Sequence, residues 1–421
     1  MMGLELPAVG ATMARLADAE LHLAAFGGIV FPLSLLIEAP IIMMLSASTA
    51  LSRSWTSYRK LRRFVFASGG ALTLLHVAVV ATPLYELVTA GALGAPEEIV
   101  GPARIGLWIM TPWTLAIAYR RFQQGVLIRF GRSRWVGIGT AVRLGTNLAV
   151  LVIGLASGGP GIVVGTLAVA SGVLAEAIFA GWAVRPILRD RLPEHDPHEI
   201  PLTRSRFLHF YAPLAFTSVL QLGALSIGSA AMSRMPRPIE SLAVWPVING
   251  LTFTLRSLGF AFNEVVVALL DREGAVRALV SVARKLAFAT TALLLLVAAT
   301  PLAHLWFGVV SGLSEPLADL ATSALWISVL MPGIAVVQSW FQGVLVHAHR
   351  TRGVSEAVVA YLVANATALA IGIHLQLAAG IYVGLASALL AGVIQTGWLA
   401  WRSRPVLRAL PAADRAVADL L

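Results

Sequence analysis

The chain has no cysteine, which excludes disulfides and thiolate metal sites. Charge is scarce: 12% of its 421 residues are Asp, Glu, Lys or Arg, where a soluble domain has about 25%. The N-terminus shows no basic segment leading into an apolar stretch and a cleavage site, so it does not read as a signal peptide. No P-loop, HExxH or GxSxG occurs. ATP-driven pumping and familiar hydrolytic chemistry are therefore unsupported, and neither an enzyme nor a bound cofactor is expected. The ten-residue alternation of an outer-membrane barrel is also missing.

What the chain does have is apolar residues, 58% of the total, with a mean hydropathy of +0.81. Runs such as 286–309 and 357–373 are long enough to cross a bilayer at about 1.5 Å per residue. This composition predicts an all-α, polytopic membrane protein. Eleven spans fall near 21–48, 64–88, 104–128, 135–156, 161–184, 207–232, 239–270, 286–309, 320–346, 354–374 and 380–401. The net charge of +10 would suit a nucleic-acid binder, but the basic residues sit in short connections between spans, where they set topology. Arg53, Arg59, Lys60, Arg62 and Arg63 mark one such connection, and Arg129, Arg132 and Arg134 the next on the same side. The connections between these, GALGAPEEIVG and SGGP, hold only acids or no charge. The basic set should be cytoplasmic. That puts the C-terminus inside the cell and the N-terminus of the chain as given outside, in a plasma (inner) membrane. Nucleic acid is not an expected partner.

The sequence repeats itself at a constant offset of 218 positions. Ala81-Thr82-Pro83-Leu84 matches Ala299-Thr300-Pro301-Leu302, and Leu107-Trp108-Ile109 matches Leu325-Trp326-Ile327. Gln124-Gly125-Val126-Leu127 matches Gln342-Gly343-Val344-Leu345, and Asn147 matches Asn365. After one inserted residue, Gly161, Gly165 and Arg185-Pro186 match Gly380, Gly384 and Arg404-Pro405. Apolar low-complexity sequence aligns Leu and Val by chance, but not Trp, Pro, Gln and Asn without a gap. The expected organisation is two parallel repeats forming two bundles, 1–200 with five spans and 201–421 with six. Parallel repeats of this kind mark transporters. The first-half partner of the span Phe207–Met232 is missing, and only its end survives, in VGATMARLADAE. A chain that begins one helix late would explain this, and so would a genuine eleven-span protein.

Two six-span repeats with this loop pattern resemble the multidrug/oligosaccharidyl-lipid/polysaccharide exporter superfamily, which includes the multidrug and toxin extrusion transporters. Within it the likeness is closest to the progressive ankylosis protein branch. It is carried by Phe210-Tyr211-Ala212-Pro213-Leu214-Ala215, by Phe262-Asn263-Glu264 and by the Gly-rich span from Gly380 to Gly392. The resemblance implies a V-shaped helical bundle with alternating access. For the progressive ankylosis branch it implies export of small organic anions such as nucleotides, citrate or pyrophosphate. One departure matters. Many extrusion transporters couple to cations through an acid in the first helix of the N-terminal bundle, which is absent from this sequence. The second-half counterpart of that helix carries Gln221 and no acid.

Charges at membrane depth are expensive and face a cavity or a partner. Asn249, Arg256 and Asn263, spaced by seven with Thr252 between, form one helical stripe suited to lining a cavity. The same stripe also suits interhelical bonding. Glu38 falls at the repeat position of Arg256, and Glu264 lies two turns beyond Arg256. Both acids are candidates for binding a coupling proton or sodium ion. Pro32 and Pro40 flank Glu38 and should interrupt its helix. Arg120 and Arg121 either add positive charge to the inner mouth or snorkel, while Arg143 should snorkel. Glu176 and His76 read as bundle contacts, and the GxxxG pairs at Gly154, Gly161 and Gly380 as close helix packing. His195, His198 and Glu199 read as a solvated loop, not a metal site. The guanidinium groups favour an anionic organic solute. The function expected is therefore secondary active export of such a solute. A lipid-linked oligosaccharide flippase and a multidrug or cation antiporter are the main rivals. A membrane enzyme and a non-transporting scaffold are weaker ones.

Overall fold

The computed structural model describes residues 5–195, 202–270, 274–348 and 350–408. Among them every regular element is helical. Their contacts divide the chain into two compact units, 1–233 and 234–421. The first unit holds α1 (Glu5–Met13), α2 (Ala19–Leu51), α3 (Trp55–Ala81) and α4 (Glu97–Arg129). It continues with α5 (Ser133–Ser157), α6 (Gly161–Asp190) and α7 (Arg204–Met232). The second holds α8 (Pro238–Leu269), α9 (Ala275–Ala299), α10 (Glu315–His347), α11 (Arg352–Leu375) and α12 (Gly380–Leu407). Ten of these helices, among the described residues, are long and apolar enough to cross a membrane. The eleventh expected span is α4, 33 residues long but carrying Arg104, Arg120 and Arg121.

The repeat seen in the sequence reappears as structure. Helix α3 ends at Ala81 and α9 at Ala299, each followed by an extended Thr before Pro. Short turns at Leu84–Glu86 and Leu302–His304 lead into π-turns at Leu87–Ala92 and Leu305–Val310. Every one of these boundaries keeps the offset of 218. The spans expected at 64–88 and 286–309 are displaced for the same reason in both repeats. The apolar run continues through the proline turn, whereas the helix stops before it and begins earlier, at Trp55 and Ala275. Acids open the helices that follow, with Glu97 and Glu98 in the first turn of α4 and Glu315 in that of α10. A helix N-terminus favours such charge.

The repeated Gln-Gly-Val-Leu motif is a helix crossing. A Cβ on Gly125 would stand 2.5 Å from the Ser48 Cβ and 2.6 Å from the Leu45 carbonyl oxygen. The repeat-related Gly343 meets Val266 at 2.7 Å in the same way. Ser48 seals the first crossing by donating its hydroxyl to the Phe122 carbonyl at 2.7 Å. The GxxxG glycines also serve packing. A Cβ on Gly154 would lie 2.3 Å from Val164 Cγ1, and one on its counterpart Gly372 would lie 2.3 Å from Val383 Cγ1.

Helix α2 is broken, as its prolines predict, though not at Glu38. A π-turn at Phe26–Val30 precedes Pro32, the helix runs unbroken from Phe31 to Ile42, and it kinks at Met43 three residues beyond Pro40. Helix α7 packs along this broken face. Tyr211 donates its hydroxyl to the Pro40 carbonyl at 2.7 Å, Ser226 to that of Pro32 at 3.2 Å and Ser229 to that of Gly27 at 3.5 Å. The packing boundary, after Ser233, therefore falls one helix later than the repeat boundary near residue 200.

Candidate functional site

The first unit contains a buried ionic network built from four helices. Glu176 of α6 is fully buried and is ion-paired with the equally buried Arg120 of α4. Gln124, one turn on from Arg120, donates to Glu176 Oε1 at 2.9 Å. From α5, Thr140 bonds the same oxygen at 3.5 Å and Arg143 Nη1 lies 3.8 Å from the other. Arg143 also pairs with Glu5 of α1 at 2.6 Å, and Asn147 donates to that carboxylate at 3.0 Å. The helical spacing explains the assembly. Arg120 and Gln124 share one face of α4, and Thr140, Arg143 and Asn147 share one face of α5. Arg143 does not snorkel. Its carboxylate partners lie inside the unit, so the interior offers it more than the headgroup region does.

Glu38 sits beside this network. It is 1% exposed, and its Oε2 has no hydrogen-bond partner. Arg120, Arg121 and Arg143 all lie within electrostatic range of it. Arg121 is half-buried with an unpartnered Nε. Gln221 lies exposed on α7.

The second unit carries the expected stripe on α8. Asn249, Arg256 and Asn263 are all half-buried, whereas Thr252 is buried and donates to the Ile248 carbonyl at 3.0 Å. Arg256 stands over the Phe260 ring at 5.5 Å, with Tyr361 of α11 within electrostatic range. Its Nε is buried and unpartnered, and among the described residues it makes no ion pair. Glu264 is exposed near the end of α8. The sequence candidates thus form two groups, Glu38 with Arg120 and Arg121 in the first unit, and Asn249, Arg256 and Asn263 in the second.

Sequence reasoning missed Glu5, Gln124 and Asn147 as members of the network. The available signal was the i, i+4 pairing of polar residues on two neighbouring spans, opposite the one acid of a third. His76 is a bundle contact, its Nε2 lying 3.0 Å from the Leu107 carbonyl oxygen. Among the described residues no cluster of three or more His, Asp or Glu has metal-binding geometry. His198 and Glu199 lie outside the described residues.

No protein-family model and no curated protein matches the chain. Solved structures do. An inward-facing multidrug-resistance transporter of the MATE family, in the MOP superfamily, superimposes with a TM-score of 0.73 at 16% identity, covering 97% of this chain and 96% of that one. The lipid II flippase MurJ, in an inward closed conformation, gives 0.72 at 14% identity over 99% of this chain and 88% of that one. A MOP-superfamily transporter from Pyrococcus furiosus, described as having a binding pocket of reversed polarity, gives 0.57 at 17% identity over 96% and 95%. At these identities the likeness defines the fold. The chain is a multi-pass helical membrane protein that shares its fold with these MOP-superfamily transporters and this flippase. It does not distinguish the branches of the superfamily, the progressive ankylosis branch included.

Proposed function

We propose that this chain is a secondary active transporter that exports a small, anionic organic solute from the cytoplasm by alternating access of its two bundles. The observation that carries this reading is Arg256, a half-buried guanidinium in a membrane helix that, among the described residues, makes no ion pair and has an unpartnered Nε. An arginine at such depth faces a cavity or a partner and marks a substrate or ion pathway. A carboxylate or phosphate matches its two-point geometry. Asn249 and Asn263 extend the polar stripe on either side, over the Thr252 turn. In the first unit Arg121 and Gln221 are the further polar candidates, and Arg120, neutralised by Glu176, holds the network in place. Glu38 and Glu264 are the coupling groups for H+ or Na+, with Glu38 poised by its unpartnered oxygen. The protein works in the plasma (inner) membrane with its C-terminus in the cytoplasm.

Proteoliposomes containing the purified protein test this. Labelled citrate, pyrophosphate and ATP are expected to move down an imposed counter-gradient, and Arg256→Ala to slow them at least about tenfold, the equivalent of about 1.4 kcal/mol. Movement of cationic ethidium instead, indifferent to Arg256→Ala, would refute the reading. The MurJ likeness, as extensive as that to the multidrug transporter, supports a second reading in which the anion is a lipid-linked phosphate. In that case a lipid-linked oligosaccharide changes leaflet in the same vesicles while the soluble anions stay put.

A further inference from the structure

At one end of the second unit, the end of α10, the start of α11 and the end of α12 surround a cavity of about 390 Å³. Five arginines line it: Arg350, Arg352, Arg402, Arg404 and Arg408. Among the described residues one carboxylate answers them. Glu356 pairs with Arg352 at 3.1 Å and with Arg402 at 2.9 Å. Among the described residues, Arg350, Arg404 and Arg408 have no acidic partner. Trp401 forms part of the wall, with Arg402 over its ring at 5.6 Å and Trp398 packed edge-on at 5.3 Å. Both tryptophans expose more than a third of their surface, as do Leu390, Val393 and Ile394 further along the same helix.

Topology alone does not explain this arrangement. Loop arginines that only set orientation have no need to converge on a cavity. The repeat shows what the cavity adds. The equivalent residues of the first unit are Arg132, Arg134, Arg185 and Arg189, which correspond to Arg350, Arg352, Arg404 and Arg408. Its aromatic pair Phe179–Trp182 likewise matches Trp398–Trp401. There, however, a third ring, Trp135, packs on both aromatics at 6.0 and 5.7 Å. The residue corresponding to Trp135 is Gly353, which lines the cavity without a third ring, and a Cβ there would meet the Arg402 stem at 3.2 Å and Leu345 at 3.4 Å. Glu356 and Arg402 replace Ile138 and Ala183, adding a charged clamp at that place.

We infer that this cavity binds the phosphate of an anionic phospholipid headgroup. The arginines supply bidentate phosphate donors. The two tryptophans place the site at headgroup depth, where such rings collect. The exposed aliphatic face of α12 gives the acyl chains a path away from the cavity. Basic pockets of this kind between membrane helices hold lipid headgroups. The site is independent of which solute the protein moves.

Native mass spectrometry of the detergent-purified full chain, titrated with dioleoylphosphatidylglycerol or dioleoylphosphatidylcholine, tests the inference. The wild type should retain phosphatidylglycerol at least about tenfold more tightly than phosphatidylcholine. Combined Arg350→Gln, Arg404→Gln and Arg408→Gln should lower phosphatidylglycerol affinity about a hundredfold, given the contribution of each arginine to anionic-lipid attraction. Gly353→Trp, which keeps every charge but sets an indole into the cavity wall against the Arg402 stem, should lower it about tenfold or more. A wild type indifferent to headgroup charge would overturn the inference, as would an unchanged triple variant. Loss in the triple variant with full retention in a folded Gly353→Trp would reduce the site to a diffuse basic surface. Displacement of the lipid by millimolar inorganic phosphate would reassign the cavity to a soluble phosphate. If Gly353→Trp does not elute as a monodisperse species, the triple variant decides alone.

Discussion

The two repeats share a scaffold and differ in charge. Arg120 and Glu176, ion-paired in the first unit, correspond to Gln338 and Gln395, which form an amide–amide hydrogen bond of 3.3 Å in the second. Arg143 corresponds to Tyr361, and Glu38 to Arg256. Thus the first unit sets a buried acid against arginines, and the second sets a half-buried arginine near a tyrosine. Gly125 and Gly343 make the same crossing in both units, and Asn147 and Asn365 are both buried. Packing therefore fixes the glycines and the turns, whereas the ionisable positions are free to take opposite signs. The first unit pairs the buried Arg120 and the half-buried Arg143 with Glu176 and Glu5. In the second, among the described residues, the half-buried Arg256 of α8 makes no ion pair, and there the proposed solute binds.

Breaking the Arg120–Glu176 pair should produce the largest effect. Glu176→Ala strips the buried Arg120 of its carboxylate, and Arg120→Ala leaves Glu176 with only the more distant Arg143, a loss of about 3–5 kcal/mol, read as a lower melting temperature in detergent. The double variant Arg120→Gln, Glu176→Gln copies the second unit and should recover most of that loss. A double variant as unstable as either single one would show that the two units are not interchangeable here.

The glycine crossing should come next. Gly125→Val drives a side chain into Ser48 and the Leu45 backbone, and overpacking of this kind costs about 1–3 kcal/mol. Gly343→Val should behave alike against Val266, and thermal melts of the two variants can be compared directly. If only one is destabilised, the shared scaffold is not shared in energy.

Glu38→Gln should change stability least, because the carboxylate it removes has an oxygen without a hydrogen-bond partner. Under the coupling proposal it should nevertheless abolish the dependence of anion flux on an imposed proton or sodium gradient. Flux that still follows either gradient would remove Glu38 from the coupling role.

Much of the fold was legible before any coordinates. Apolar runs gave the spans, and aligned Trp, Pro, Gln and Asn gave a repeat whose offset the turns preserve to the residue. The spans at 64–88 and 286–309 were misplaced because hydropathy does not register a proline turn that is itself apolar. The polar site was less legible. Arg256, Glu38 and Glu176 stood out as charges in apolar sequence. Which charge meets which was not readable, since Arg120 and Glu176 are 56 positions apart and Glu5 and Arg143 are 138 apart. Those pairings follow from which helices become neighbours, and a single sequence does not record that. Arg143 was misread for this reason: an arginine about two turns from a basic loop looks free to snorkel until its carboxylate is seen inside.

The most direct test of the central claim is mass spectrometry of the medium from cells with the protein, without it, and with Arg256→Ala. The account predicts protein-dependent release of nucleotides or small carboxylates, lost in the variant although it reaches the membrane at the wild-type level. Release that persists in Arg256→Ala with the same solute preference would contradict it.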